Sequence, residues 1–416
     1  MTARREDEQE MAGRAKAGPL DLAVTSLTLT RYRSYDRARL TLEGAAPLVV
    51  LTGPNGAGKT NVLEALSYLA PGRGLRRAAL GEVSRFGADG PWAVAADLML
   101  GDEPVKVGTG IEAGAAPGAN DDDADEDDSG PAGRRLVRID GETVGSTNAL
   151  GDRWSVSWLT PQMDRLFIEA PSGRRRFLDR LVIGLYPDHS RQVAAYERVM
   201  RERNRLLADR GAHADPAWVG ALEARMAEHG AAVAAARLEF AGQLAGFLAE
   251  PKGAEAAAFP EARLAIDGWL EGLMADGMAP VEAEAAYRDK LAEARRVDAA
   301  TGRAGTGPHK TDLLVVHAPK DMPAGLCSTG EQKALLIALT LADARLVAAH
   351  RGRAPLLLLD EVAAHLDADR RAALFAVLSE LRGQCWLTGT DRAVFEAAET
   401  SALFFNVEGG QVAPAK

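Results

Sequence analysis

Two short stretches of this 416-residue chain carry residues whose types and spacing fit phosphate chemistry. The first is Gly53-Pro54-Asn55-Gly56-Ala57-Gly58-Lys59-Thr60, which follows the apolar run Leu48 to Leu51 and precedes the helix-forming run from Asn61 to Leu66. A G-x-x-x-x-G-K-[ST] pattern between a strand and a helix is a P-loop, in which glycines let backbone N–H groups close around phosphates. These residues and Asn61 are expected to hold ATP, with Lys59 reaching the β- and γ-phosphates and the Thr60 hydroxyl binding Mg²⁺. The second stretch is Pro355 to Glu361, where four leucines run into Asp360 and Glu361. An apolar strand delivers its terminal acid to the carboxyl edge of the sheet, where ligands sit in open α/β folds. Asp360 is then expected to orient Mg²⁺, and Glu361 to act with Lys59 in catalysis as general base on water. The chain binds a nucleoside triphosphate on this reading.

A third stretch, Cys327-Ser328-Thr329-Gly330-Glu331-Gln332-Lys333, opens a strongly helical run. Small residues at a helix start offer N–H groups to phosphate, although an ordinary cap would look the same. In company with the P-loop it resembles the ATP-binding-cassette signature. That resemblance implies that Ser328, Gly330 and Gln332 meet ATP held by an opposite subunit, hence an ATP-dependent head-to-tail homodimer. Leu366-Asp367 fits the D-loop of such a dimer, and Gln162 sits where a cassette Q-loop would touch Mg²⁺ or water.

The elements that must position these groups can be read around them. Residues from about 21 to 50 alternate apolar and polar side chains, predicting two strands joined by Arg31 to Tyr35 and leading into the P-loop strand. Trp92–Leu100, Val105–Val107 and Leu136–Ile139 read as an antiparallel layer, and Trp154–Leu159 as a further strand with both tryptophans in the core. From about 172 to 300, Ala, Leu, Arg and Glu recur at helical spacing, predicting a lobe with a long antiparallel helix pair punctuated at Pro216, Gly230, Pro251 and Pro260. Sheet signal returns at Leu313–Val316. The expected fold is α/β, an ABC-type P-loop ATPase head with an antiparallel β layer and an inserted α-helical arm lobe. Its divisions are a disordered extension over 1–20, head over 21–165 and 306–416, and helical lobe over 166–305.

Composition narrows the class. With 47% hydrophobic and 26% charged residues the chain is of globular type, and no stretch approaches the roughly 20 apolar residues that cross a bilayer. The first 20 residues lack an apolar signal core, Met11 being another candidate start, and a cytoplasmic location is expected. Cys327 and Cys385 are too few for a disulfide framework or metal site. The net charge of −10 includes the run Asp121 to Asp128, read with its surroundings (113–133) as a disordered acidic insertion that could mimic nucleic acid. Net charge therefore does not argue against DNA, since phosphates are met by local basic patches.

Taken together, RYRSYDRARLTL, GPNGAGKTNVLEAL, GRGLRRA, SGRRRFLDRL, ERVMRERNRLL, GPHKTDL, CSTGEQKALLIALTLA, LLLLDEVAAHLD and WLTGTD resemble the RecF family of bacterial recombination mediators, related to SMC-type ATPases. The resemblance runs from about 24 to 407 and outside the acidic insertion covers nearly every element. SGRRRFLD and GPHKTDL are its most specific parts. It implies a weak Mg²⁺-dependent ATPase that dimerises with ATP and binds DNA at single-strand gaps or stalled forks. Recombination mediator proteins and the recombinase are the implied partners, and no membrane. Three departures stand out: STGEQ replaces the SGGQ of transporters, Gln162 stands where many members of the family carry an acidic residue, and Thr388-Gly389-Thr390-Asp391 has no switch histidine, implying slow hydrolysis.

The basic residues expected to face DNA are Arg73, Arg76 and Arg77 after the P-loop helix, Arg174, Arg175 and Arg176 at a helix start, and Arg201 and Arg203 on the arm. Glu197 and Glu202 offer some of them ordinary ion pairs. His309 lacks a nearby acid or thiol and reads as a turn residue. The alternative function is an ABC-type ATPase module driving another partner. A transporter cassette, however, keeps the segment between Q-loop and signature short, and this chain inserts more than 100 residues there.

Overall fold

The computed structural model describes residues 20–42, 44, 46–88, 90–111, 135–251 and 253–415. The acidic insertion over 113–133 and the extension over 1–20, Leu20 apart, lie outside the described residues.

Two six-stranded sheets form the head. The central one has the order β15-β14-β3-β13-β12-β8, built from β3 (Leu48–Thr52), β8 (Val156–Leu159), β12 (Leu356–Leu359), β13 (Cys385–Gly389), β14 (Ala402–Glu408) and β15 (Gln411–Pro414). Strands β14, β3, β13, β12 and β8 run parallel, and every residue of β3, β8, β12 and β13 is buried. Covered faces explain why these strands read as unbroken apolar runs. The P-loop strand β3 and the acidic strand β12 flank β13, so one strand separates two motifs 300 residues apart.

The second sheet is antiparallel in the order β2-β1-β4-β5-β6-β7: β1 (Ala23–Tyr32), β2 (Tyr35–Thr41), β4 (Ala93–Leu100), β5 (Glu103–Ile111), β6 (Arg135–Ile139) and β7 (Glu142–Val144). One face, with Leu27, Leu29, Leu40, Val94, Val107 and Ile139, packs in a core shared with the P-loop helix Lys59–Ser67. Trp154 and Trp158 join that core, as expected, although Trp154 precedes β8.

The helical lobe contains a basic helix (Pro171–Leu185) and three arm helices (His189–Arg210, Pro216–Ala249 and Pro280–Thr301). The first two arm helices are the expected long pair. Asp215 caps the second by accepting from the Ala217 N–H, with Pro216 in its first turn, where a missing N–H costs nothing. Gly230 does not interrupt that helix as expected. It lies inside it because Tyr287 and Tyr196 pack onto its Cα, where a Cβ would stand 2.8 Å from the Tyr287 ring.

A second correction concerns Leu313–Val316. The strand exists as β10 (Asp312–His317), but it belongs to a separate three-stranded sheet with β9 (Ala262–Asp267) and β11 (Met322–Pro323). Its alternating burial, against the full burial of β12, marks it as a strand with an open face.

Candidate functional site

Parallel pairing of β3, β13 and β12 brings the ends of all three strands to one edge. There the Thr60 hydroxyl donates to the Asp360 carboxylate, 3.0 Å from each oxygen. The Thr388 hydroxyl, at the end of β13, donates to Asp360 Oδ1 at 2.7 Å and accepts from the Glu361 N–H at 2.9 Å. In the sequence Thr388 marks only a strand end without a switch histidine and has no role of its own. Its signal was a hydroxyl at the end of the strand lying between the two motif strands, and that adjacency is invisible in sequence.

Burial pushes the Asp360 carboxyl up, and the charge of Glu361 adds to this, while the Thr388 and Thr60 hydrogen bonds oppose it. Lys59 is buried and donates to the carbonyls of Gly53 (2.7 Å) and Pro54 (2.9 Å). Burial lowers its pKa, and Glu361 and Asp360 pull it back. Glu361 has φ +52°, a left-handed conformation unusual for a residue with a side chain. That conformation starts the turn that follows β12.

The loop fits a triphosphate. Among the described residues the backbone N–H groups of Gly58, Lys59 and Thr60 have no backbone acceptor, and they open a helix. Gly53 and Gly58 also serve packing: a Cβ on Gly53 would stand 2.2 Å from the Val407 carbonyl oxygen, and one on Gly58 2.6 Å from the Tyr35 hydroxyl. The groups placed so that they could hold Mg²⁺ are Thr60 and Asp360, with no group of three or more His, Cys, Asp or Glu among the described residues. That set suits Mg²⁺, which keeps waters and uses one or two carboxylates beside substrate phosphates. Gln162 is exposed in the turn Pro161–Arg165 after β8, next to the strand that carries Asp360.

The hairpin before the P-loop, Arg31 to Tyr35, buttresses it. Tyr35 donates to the Gly58 carbonyl at 3.0 Å, and Ser34 Oγ accepts from Asn61 at 2.9 Å. Arg33 grips the fully buried Glu64 of the P-loop helix through both carboxylate oxygens, at 2.8 and 2.6 Å. Arg76 joins them, donating to Asn61 Oδ1 at 2.7 Å and Glu64 Oε2 at 3.0 Å. Both arginines thus stabilise the P-loop helix, and Asn61 is held from the side by its neighbours.

The signature helix (Thr329–Arg351) begins with an exposed Ser328-Thr329-Gly330 turn. Ser328 and Glu331 form a capping box, and Lys320, with help from Ser328, holds the Glu331 carboxyl down to about 2. Gln332 corrects an expectation. It is buried and donates to the Cys327 carbonyl at 2.8 Å, so its side chain braces the turn from within rather than facing outward. Asp391 caps the turn after β13 by accepting from the Ala393 N–H.

Several expected DNA contacts are also redirected. Arg203 is fully buried and binds Glu223 at 3.1 Å, Asp298 at 2.7 Å and the Leu291 carbonyl at 2.8 Å, so it cannot reach a phosphate. Arg174 grips Asp312 through Nε (2.7 Å) and Nη2 (2.8 Å), and Arg175 donates to the Thr311 carbonyl at 2.8 Å. Arg76 serves Glu64, as above. Arg77, Arg176 and Arg201 are exposed and Arg73 half-buried. The cause is common to these corrections: local sequence does not reveal which carboxylate or carbonyl a neighbouring element brings.

Residues 26–81 match the family model described as "AAA domain". Over 396 residues the chain is 48% identical to the DNA replication and repair protein RecF of Rhizobium johnstonii, covering 95% of this chain and 99% of that protein. It is 47% identical over 397 residues to the protein of the same name from Brucella suis, covering 95% and 97%. The chain belongs to the RecF family. A solved structure of the recombination mediator protein RecF-ATPrS in the RecFOR pathway superposes with TM-score 0.79 at 18% identity, covering 96% of this chain and all of that one, which shows the shared fold. The stretches SGRRRFLD and GPHKTDL meet in space through the Arg174–Asp312 and Arg175–Thr311 bonds. His309 of the second stretch accepts from Tyr196 at 2.6 Å and donates to the Ala304 carbonyl at 3.0 Å, a structural role matching the expectation.

Proposed function

We propose that this chain is an ATP-dependent DNA-binding protein of recombinational repair and replication, with Mg²⁺-dependent hydrolysis that is slow. Membership of the RecF family supports the DNA reading, and the Thr60–Asp360–Thr388 constellation carries the ATP reading. Lys59 and the loop N–H groups hold the β- and γ-phosphates, Thr60 and Asp360 hold Mg²⁺, and Glu361 takes the proton of the attacking water. Gln162 completes the site from the turn that follows the adjacent strand β8.

Ser328 and Gly330 are exposed at a helix start with no triphosphate-binding loop of their own chain bonded to them. They serve ATP held by a second copy, so ATP closes a homodimer. DNA then binds the closed form at gaps or stalled forks, where mediator proteins help load recombinase. These steps take place in the cytoplasm. Among the described residues no helix is long and apolar enough to cross a membrane.

The test is Glu361→Gln with gapped duplex at about 0.15 M salt, where specific contacts survive screening. ATP, ADP and no nucleotide are compared, with mass measured on the same samples. An ATP-held dimer that binds DNA supports the reading. A monomer in ATP would overturn the dimer mechanism. An ATP-held dimer without DNA affinity would favour the second function, a cassette module driving another partner.

A further inference from the structure

Among the described residues the antiparallel sheet leaves one face open, with Arg37, Arg39, Ala93, Ala95, Arg138 and Thr143 exposed, and its register lines up an unusual set of residues. One row across the sheet reads Arg39, Thr28, Ala95, Gly108, Arg138, Thr143. The next reads Arg37, Thr30, Ala93, Gly110, Leu136. Residues paired in register point to the same side, and the alternate residues of these strands form the core, so both rows face solvent. The centre of the face is therefore a floor of Thr, Ala and Gly between arginines on β2 and on β6.

Three features separate this face from an ordinary solvated sheet. Arg37, Arg39 and Arg138 are exposed and make no hydrogen bond or ion pair among the described residues, unlike Arg33, Arg76, Arg174 and Arg203. On the next row Lys106 stands opposite Asp97, so those charges offset each other and the three arginines remain in excess. The floor is also flat without a packing reason at its middle. A Cβ on Gly108 would meet nothing nearer than 4.0 Å and its φ is ordinary, so neither space nor backbone demands glycine there. Gly110 differs, since a Cβ would stand 2.5 Å from the Trp92 carbonyl oxygen.

From Arg39 to Arg138 is four strand spacings, about 19 Å at roughly 4.8 Å each. The B-form major groove is about 12 Å wide between its backbones, so arginines leaning in from rails this far apart can meet both strands of one duplex. A floor of small residues lets the backbones approach, and the Thr28, Thr30 and Thr143 hydroxyls can donate to phosphate. We propose that this sheet face is a docking surface for duplex DNA, gripped through its phosphates by Arg37 and Arg39 on one side and Arg138 on the other. The inference rests on the DNA reading above and assigns it to a surface.

The experiment compares the full chain with Arg39→Glu/Arg138→Glu and with Gly108→Phe, in ATP, on the same duplex across a salt series. Phenylalanine suits a strand, so Gly108→Phe fills the floor without changing charge. ATP affinity, mass and thermal melting serve as controls and should match the parent. The double variant should bind at least about tenfold more weakly, with the slope of log K against log salt shallower by about 1.8 for two lost phosphate contacts. Gly108→Phe should weaken binding with the slope little changed. A parent chain that binds no DNA in any nucleotide state would fail the DNA reading itself. A parent that binds, with both variants binding equally well, would overturn this surface alone. Weakening by the charge reversal without any effect of Gly108→Phe would also overturn it, leaving only long-range attraction.

Discussion

The Thr60 hydroxyl lies 3.0 Å from both oxygens of Asp360, a residue 300 positions further along the chain. Thr388 touches the same carboxylate from the strand in between, at 2.7 Å. The contact places a hydroxyl and an acid, the pair proposed to hold Mg²⁺, at one point without any local sequence link.

Thr388 is therefore expected to be a positioning residue. Thr388→Val keeps shape but removes the bond to Asp360 and leaves the Glu361 N–H without its acceptor. Loss of a partner behind a metal ligand costs about 10- to 100-fold in metal affinity or activity. Because Thr388 opposes the upward push on the Asp360 carboxyl, its loss should also move the acidic limb of the rate profile to higher pH. ATPase rate against pH and Mg²⁺ concentration checks both; an unchanged acidic limb would count against the assignment.

Arg203 should matter for stability and not for DNA contact. It is fully buried against Glu223 and Asp298; Arg203→Met leaves Glu223 with Arg295 but strands the buried Asp298 carboxylate, and breaking a buried pair costs about 3–5 kcal/mol. Urea unfolding should show that loss. DNA affinity measured well below the transition should keep the parent's salt slope.

His309 should make the lobe acid-sensitive. Burial lowers its pKa to about 4, and it is bonded as a neutral ring, accepting from Tyr196 and donating to the Ala304 carbonyl. A depressed histidine pKa means that the unfolded chain takes up the proton first. The stabilisation is therefore complete above the ordinary value near 6.5 and is lost as pH falls from there toward 4. The full effect is on the order of 3 kcal/mol. Melting between pH 7 and 4.5 should fall further for the parent than for His309→Gln.

Gly230→Ala reverses the usual rule for helices. Replacing an interior helical glycine with alanine normally stabilises by about 1 kcal/mol. Here the new methyl would stand 2.8 Å from the Tyr287 ring and 3.3 Å from that of Tyr196. A lower melting temperature is expected, and a higher one would mean that the tyrosine pair yields freely.

Much of the catalytic head was legible in the sequence because its signals are local. GPNGAGKT needs only a strand before it and a helix after it, and Leu356 to Glu361 declares a buried strand with acids at its end. The antiparallel strands were legible by alternation, and the first two arm helices by period. Gly230 misled because a glycine's purpose depended on tyrosines 34 positions before and 57 after it. The strand β9 lay hidden in helical surroundings, since its pairing partner β10 comes some fifty residues later.

What only the tertiary structure decided is which charged groups have partners. Arg174 and Arg203 read as surface bases, and sequence offers no means to separate them from arginines that stay exposed, such as Arg37, Arg39 and Arg138. Folding brought Asp312 to the first, Glu223 and Asp298 to the second, and, among the described residues, no carboxylate to the other three. The chain by itself determined the phosphate loop, the acidic strand and the helical insertion, because those rest on neighbours in sequence. The Thr60–Asp360–Thr388 contact, the inward turn of Gln332 and the row from Arg39 to Arg138 rest on strand order and register. Those relations exist only once distant segments lie side by side.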